Sequence, residues 1–301
     1  MDMKKNKSKL NTSYLFILPY ALMFLTFVVI LIAISMLLSL TYFDTINFPQ
    51  FIGFRNYVNL FTQDSEFMQY ALPITIKYAL LVGPGGYILS FFLAWCLAQL
   101  TKRLRTVLAI IIYSPALTSG ALMAVGWRVL FSGDNRGYLN YLLLNMGLIN
   151  EPLQFLQNVN IVFVIMVFVG LWSSMGIGFL AMLSGILNIN REMYEAAYID
   201  GMKNRFQEII YITIPSMKPQ MLFGAVMAIV GTFNASGIAS AITGAYPPPQ
   251  YAGWLIVDHM NDYAFTKLEM GYASALSIIL LLFCLVFNRL SYRVFGSEER
   301  D

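Results

Sequence analysis

The stretch Ile161-Val-Phe-Val-Ile-Met-Val-Phe-Val-Gly-Leu-Trp-Ser-Ser-Met-Gly-Ile-Gly-Phe-Leu-Ala-Met-Leu-Ser-Gly-Ile-Leu187 carries no charged side chain. It outruns the roughly 20 apolar residues a helix needs to cross the hydrocarbon core of a bilayer. Its apolar positions do not alternate with polar ones, which excludes a strand of a membrane barrel. Five more runs read the same way: Tyr14–Leu40, Tyr70–Leu100, Val107–Phe131, Gln220–Ile242 and Gly271–Tyr292. The composition agrees, with 58% of the 301 residues hydrophobic and only 12% charged. A soluble domain runs nearer a quarter charged. The expectation is an all-α membrane protein with six transmembrane helices. A single membrane domain spans residues 14–293, with short tails at 1–13 and 294–301.

Orientation follows from Lys and Arg, which concentrate on the cytoplasmic side of membrane proteins. One set of connections carries Lys4, Lys5, Lys7 and Lys9, then Lys102, Arg103 and Arg105, then Arg191, Lys203, Arg205 and Lys218, and finally Arg289, Arg293 and Arg300. The opposite loops hold only Arg55, Arg136 and Lys267. Both termini are therefore expected in the cytoplasm. The net charge of +3 reflects these flanks and not a nucleic-acid surface. The first run is too long for a cleaved leader and is expected to stay in place. Cys96 and Cys284 are single thiols within apolar runs, with no disulfide or metal spacing.

The cytoplasmic loop 188–219 is the least ordinary segment. It holds Glu195-Ala-Ala-Tyr-Ile-Asp-Gly201 and, further on, Ile212-Thr-Ile-Pro215. Asn190 is a suitable N-cap, Glu192 and Glu195 suit the start of a helix dipole, and Gly201 suits its end. The predicted helix runs from Arg191 to Asp200, with Met193, Ala196, Ala197 and Asp200 on one face. A second short helix is predicted from Asn204, with Gln207 completing a capping box. Small side chains on a polar helix allow close approach of a partner backbone. An interfacial helix resting on lipid is the competing reading.

These residues resemble the membrane subunits of bacterial binding-protein-dependent ABC importers, specifically the sugar-permease family. Its cytoplasmic motif is Glu-Ala-Ala, three residues, Gly, then Ile-x-Leu-Pro, matched by Glu195, Ala196, Ala197, Asp200, Gly201, Ile212 and Pro215. Ile214 stands for the usual Leu, and ten residues instead of nine separate Gly201 from Ile212. Tyr14-Leu-Phe-Ile-Leu-Pro19, Gly53-Phe-Arg-Asn-Tyr57 with Leu60-Phe61, Trp127-Arg-Val-Leu-Phe131 and Gly271-Tyr-Ala-Ser-Ala-Leu-Ser277 resemble further family blocks in the same order.

The resemblance implies a type I ABC importer permease fold in a bacterial cell membrane. It implies a second homologous permease subunit, two ATP-binding cassette subunits and an extracellular sugar-binding protein as partners. ATP and Mg would sit on the partner ATPase, since this chain lacks a phosphate-cradling Gly-x-x-x-x-Gly-Lys-Ser/Thr loop. Glu195, Ala196, Ala197, Asp200 and Gly201 are the ATPase-coupling candidates. A carboxylate there can accept charge-assisted hydrogen bonds, or simply complement the helix dipole.

Polar residues interrupt the fourth and fifth runs. Trp172, Ser173, Ser174, Thr232, Asn234 and Ser236 are candidates for a substrate path, with Thr232, Ser236 and Ser240 aligned at four-residue spacing. Ser, Thr and Gly also serve ordinary helix packing in membranes. Arg128 and Lys77 read as snorkelling residues. His259, Asp258 and Asp262 could face a binding protein, although their spacing suits no metal. The expected cargo is a sugar or oligosaccharide, with glycerol phosphate or another solute as the rival. An intramembrane enzyme would need a buried acid–base pair that no run supplies, and a secondary transporter would need ionisable relays.

Overall fold

A computed structural model describes residues 7–118 and 120–295. Lys4, Lys5 and Arg300, and with them most of the expected tails, lie outside the described residues. Contacts divide the chain into two compact units, one of residues up to 63 with 260–279, the other of residues 64–259 with those from 280 onward.

In the first unit, α1 runs as Lys7–Phe24, a wide π turn Leu25–Val29, and Ile30–Leu38. It is helical from Lys7, earlier than the expected start at Tyr14. Beyond it, β1 (Thr41–Tyr42) pairs antiparallel with β2 (Gln50–Phe51), and α2 covers Arg55–Thr62. The buried Asn56 explains the Gly53–Tyr57 block. Its amide donates to the carbonyls of Ser39 and Thr41, both at 2.9 Å, satisfying acceptors that the end of α1 leaves open. Tyr57 adds a hydrogen bond from its hydroxyl to Ser39 Oγ at 2.8 Å. The Gly271–Ser277 block meets the same region. A Cβ at Gly271 would collide with the Thr41 carbonyl, and Ser277 Oγ lies 3.1 Å from Ser35 Oγ.

The second unit contains α3 (Leu72–Ala98), α4 (Lys102–Leu117), α5 (Gly120–Leu130), α6 (Tyr138–Asn145), α7 (Val159–Ser173), α8 (Ile177–Leu187) and α9 (Arg191–Ile199). Then follow α10 (Arg205–Glu208), α11 (Lys218–Phe233), α12 (Ile238–Thr243) and α13 (Ile256–Asn261), the last reaching the boundary between units. The long α14 (Met270–Phe295) contributes to both units.

Among the described residues, three helices are long and apolar enough to cross a membrane: Phe16–Leu38, Phe67–Ala98 and Met270–Arg293. The pair α7–α8, bent by 42°, makes a fourth if counted as one span. The other two apolar runs are not continuous helices. The 107–131 run stops at Thr118, which is extended and follows Pro115, and resumes as α5. The 220–242 run stops at Asn234 and restarts after Gly237, whose φ is +68°. The break undoes the expected alignment of Thr232, Ser236 and Ser240, because the three no longer share one helix. Broken helices are tolerated at membrane depth where the freed backbone faces protein or a cavity, and both situations occur here.

Glycines set the helix spacing in this unit. A Cβ at Gly178 of α8 would lie 3.3 Å from Gly224 Cα of α11, and one at Gly86 of α3 would strike Ser174 Oγ, 2.5 Å away. Small residues that let backbones approach are how helices associate without help from the hydrophobic effect. Around them pack Phe179, Met182, Met217 and Met221.

Helix α13 is more buried than expected. His259 is fully buried, bonded through Nε2 to Asp64 Oδ2 at 2.8 Å and accepting from Trp254 Nε1 at 3.3 Å. Asp258 is buried too, and it accepts from the amides of Gly237 and Leu255. Neither can meet an external protein. The reason is structural demand: Asp258 caps the restart of the helix at Gly237. Within the first unit, Asp262 pairs with Lys267 at 3.3 Å. Arg128 does more than snorkel, since its guanidinium donates to the Ala241 carbonyl at the end of α12, at 2.9 Å.

Two outcomes follow from this packing. Gly178→Val in the assembled transporter should cost about 1–3 kcal/mol of stability, as overpacked cores do, seen as a lowered melting temperature in detergent. Burial pushes the Asp258 carboxyl up to about 6 from its ordinary 3.8, against the lowering effect of the two amides. A folded-state pKa above the unfolded one gives stability that is complete below the unfolded value and lost as pH rises through about 6. Thermal stability should therefore rise from pH 7.5 to pH 5, and Asp258→Asn should flatten that dependence.

Candidate functional site: a capped surface helix and an uncharged cavity

The connection between α8 and α11 is built from caps. Asn190 Oδ1 accepts the Glu192 amide at 3.1 Å, starting α9 where the sequence places it. At the other end Gly201, with φ +96°, lets Met202 N–H reach the Ala197 carbonyl at 3.0 Å and its own N–H reach Tyr198 at 3.2 Å. These paired bonds close the last turn as a Schellman motif. Asn204 Oδ1 then accepts the Gln207 amide at 2.9 Å, and Gln207 Oε1 accepts from Lys203 N–H at 2.8 Å. The predicted capping box is present, reaching back one residue further than usual.

Past Glu208 the helix widens into a π turn, Ile209–Thr213, before Ile214–Ser216 and Pro219 lead into α11. A π turn holds one residue more than the α turn it replaces. The extra residue between Gly201 and Ile212 is accommodated there, so Ile212 and Thr213 still point inward and are buried.

Sequence reasoning passed over what holds the two short helices together. Glu208 is buried at 4% exposure. Its carboxylate accepts from Arg205 at 2.7 Å and from the Tyr198 hydroxyl at 3.1 Å. Tyr194 and Thr213 hydroxyls meet at 3.2 Å, and Thr213 also donates to the Glu208 carbonyl at 3.2 Å. The carboxylate raises the Arg205 pKa above its ordinary value, by hydrogen bonding first and charge second. Burial, helped by the Glu208 charge, raises that of Tyr194. An acid in the middle of a polar loop gives little signal. Tyr194 and Tyr198 at four-residue spacing, facing Glu208 across the loop, are the trace that could have been read.

With the Tyr194 and Tyr198 hydroxyls engaged on Thr213 and Glu208, the rest of α9 faces out. Glu195, Ala196, Asp200 and Gly201 are exposed and Ala197 is half-buried. No residue of α9 is fully buried. Ile199 and Phe206 stand beside this face, 86% and 69% exposed. Such apolar exposure on a polar, rigidly capped element suits a protein partner.

A cavity of about 420 Å³ lies among α3, α4, α7, α8, α11 and α12. It brings together Ser173, Ser174 and Thr232 with Ser90, Tyr78 and Tyr113. No charged side chain lines it. The hydroxyl protons are spent locally: Ser173 donates to Val169, Ser174 to Leu171 and Thr232 to Ala228. Their oxygens remain as acceptors for a ligand hydroxyl. Trp172, Asn234 and Ser236 are not part of this lining. Trp172 packs edge-on against Trp127 at 5.2 Å, while Asn234 is exposed and donates to the Val230 carbonyl. Ser236 is exposed at the helix break.

Residues 86–295 match the family described as "Binding-protein-dependent transport system inner membrane component". The chain belongs to this family. It is an inner-membrane transport subunit and not an enzyme. It is 31% identical to the probable ABC transporter permease protein YesP of Bacillus subtilis (strain 168), covering 99% of this chain and 97% of that protein. It is 29% identical to the arabinooligosaccharides transport system permease protein AraP of the same organism, over 98% of this chain and 91% of that one. The fold matches a chain in the crystal structure of a bacterial alginate ABC transporter in complex with alginate pentasaccharide-bound periplasmic protein. The TM-score is 0.77, over 98% of each chain at 22% identity.

Glu208→Ala should leave the Tyr198 hydroxyl and Arg205 without their acceptor and loosen α9 from α10. Hydrogen exchange over residues 191–213 should speed up by roughly fivefold or more, while exchange in α3 stays as in the parent protein.

Proposed function

We propose that this subunit forms part of an ATP-driven importer that carries a sugar or oligosaccharide into the cytoplasm. It would work with a second permease subunit, two ATP-binding cassette subunits and an external binding protein. In this reading the chain crosses the membrane six times with both termini inside, the broken 107–131 and 220–242 runs each serving as one span. ATP and Mg belong to the partner ATPase.

The observation that carries the proposal is the exposed face of α9 on a helix whose other face is locked. The caps at Asn190 and Gly201 and the buried Glu208 fix the rod relative to α11. A force applied to Glu195, Ala196 and Asp200 by a closing ATPase would therefore reach α8 and α11, which meet at Gly178 and Gly224. Ala196 and Ala197 let the partner approach, and Glu195 offers an acceptor to its Arg or backbone donors. Between the same helices, the cavity around Ser173, Ser174 and Thr232 would pass the cargo. Its hydroxyl and aromatic lining, without charge, fits a neutral polyol better than an anion such as glycerol phosphate, and the cargo named for AraP is of the former class.

The test is reconstitution with the partner subunits and candidate sugar-loaded binding proteins. Glu195→Ala should lower sugar-stimulated ATP hydrolysis by about tenfold, the cost of one well-placed charged contact. Unchanged stimulation and assembly would remove Glu195 from the coupling surface.

A further inference from the structure

A second cavity of about 450 Å³ opens along α4 and α8, away from any residue the transport reading uses except Tyr113 at its inner edge. Its two ends differ in chemistry. At one end stand Lys102, Arg105 and Thr106, in the first turns of α4. Further along lie Ile110 and Leu180, both exposed, with Leu183 beneath them, while the exposed Leu187 ends α8 near the charged end. No acidic residue lines it. From Lys102 to Tyr113 the helix rises about 16 Å, so charge and apolar surface are separated along one axis.

Arg105 is held in place at this end. One of its terminal nitrogens donates to the Leu100 carbonyl at 2.9 Å, while its Nε–H is shut off from water and has no protein acceptor. An anion at this end would meet the exposed Lys102 ammonium and the accessible part of the Arg105 guanidinium, and exposed leucine and isoleucine would be covered by a hydrocarbon chain. Basic pockets between membrane helices at the cytoplasmic face are suited to anionic lipid headgroups, and Lys102 and Arg105 lie on the side where the chain's positive charge concentrates.

We propose that this groove binds one anionic phospholipid, its phosphate between Lys102 and Arg105 and an acyl chain along Ile110 and Leu180. Charge complementarity at one end and exposed aliphatic surface at the other select this occupant over a soluble anion, which would leave the leucines bare. The proposal is independent of which cargo the transporter carries.

The test uses the transporter assembled with its partner subunits, with native mass spectrometry of bound dioleoyl-phosphatidylglycerol against dioleoyl-phosphatidylcholine. Phosphatidylglycerol should be retained at a stoichiometry of one per copy of this chain, and phosphatidylcholine should not. Lys102→Glu should reduce retention by roughly tenfold. Arg103→Glu, the same charge change one residue along and outside the groove, should change it less than twofold. Ile110→Trp, at an exposed position, should reduce retention without altering charge. Equal losses in the Lys102 and Arg103 variants would mean diffuse attraction and overturn the site. So would full retention in Ile110→Trp, displacement of the lipid by a neutral oligosaccharide, or a cross-link from Ile110→Cys to the second permease in place of lipid.

Discussion

The near-contact of α8 and α11 at Gly178 and Gly224 is the constraint on which the second unit depends. Two backbones at this distance cannot slide independently, because any bulk between them would part the helices. The 188–219 loop joins the neighbouring ends of these same two helices, and the uncharged cavity opens beside them. One contact therefore sets both the footing of the surface rod and the width of the cavity. Met182, packed against Gly224, and Gln220, packed against Gly185, continue the seam toward the loop.

The loop achieves rigidity by saturation of its backbone and not by hydrophobic burial. Almost none of α9 is buried, yet both of its ends are capped and its inner face is tied to one carboxylate. Glu208 is the joint: it sits beneath α9, neutralised by Arg205 and bonded by Tyr198. A buried acid with only one partner would be a poor anchor, since its desolvation would go largely uncompensated. Here the second hydrogen bond and the half-exposed guanidinium limit that cost.

Much of this could be read from the residues. The helical membrane class followed from run length and charge, and the start and stop of α9 from Asn190 and Gly201, because caps are local chemistry. What the runs concealed was their interruptions. Pro115 with Thr118, and Asn234 with Gly237, sit in surroundings apolar enough to pass as continuous, and only tertiary capping by Asp258 and the room beside the cavity make the breaks tolerable. Burial of His259 was equally hidden, since its partner Asp64 comes from a distant part of the sequence. The path candidates divided for the same reason: Ser173, Ser174 and Thr232 turn to the cavity because of where α7 bends, and Trp172 is drawn to Trp127 instead.

The π turn at Ile209–Thr213 bears on how such a chain can vary over time. A surplus amino acid inserted in a regular helix would rotate everything after it by about 100°. Stored as a widened coil it is absorbed on the spot, and Pro215 and the span beyond keep their heading. The widened turn thus uncouples the length of this linker from the direction of the helix that follows it.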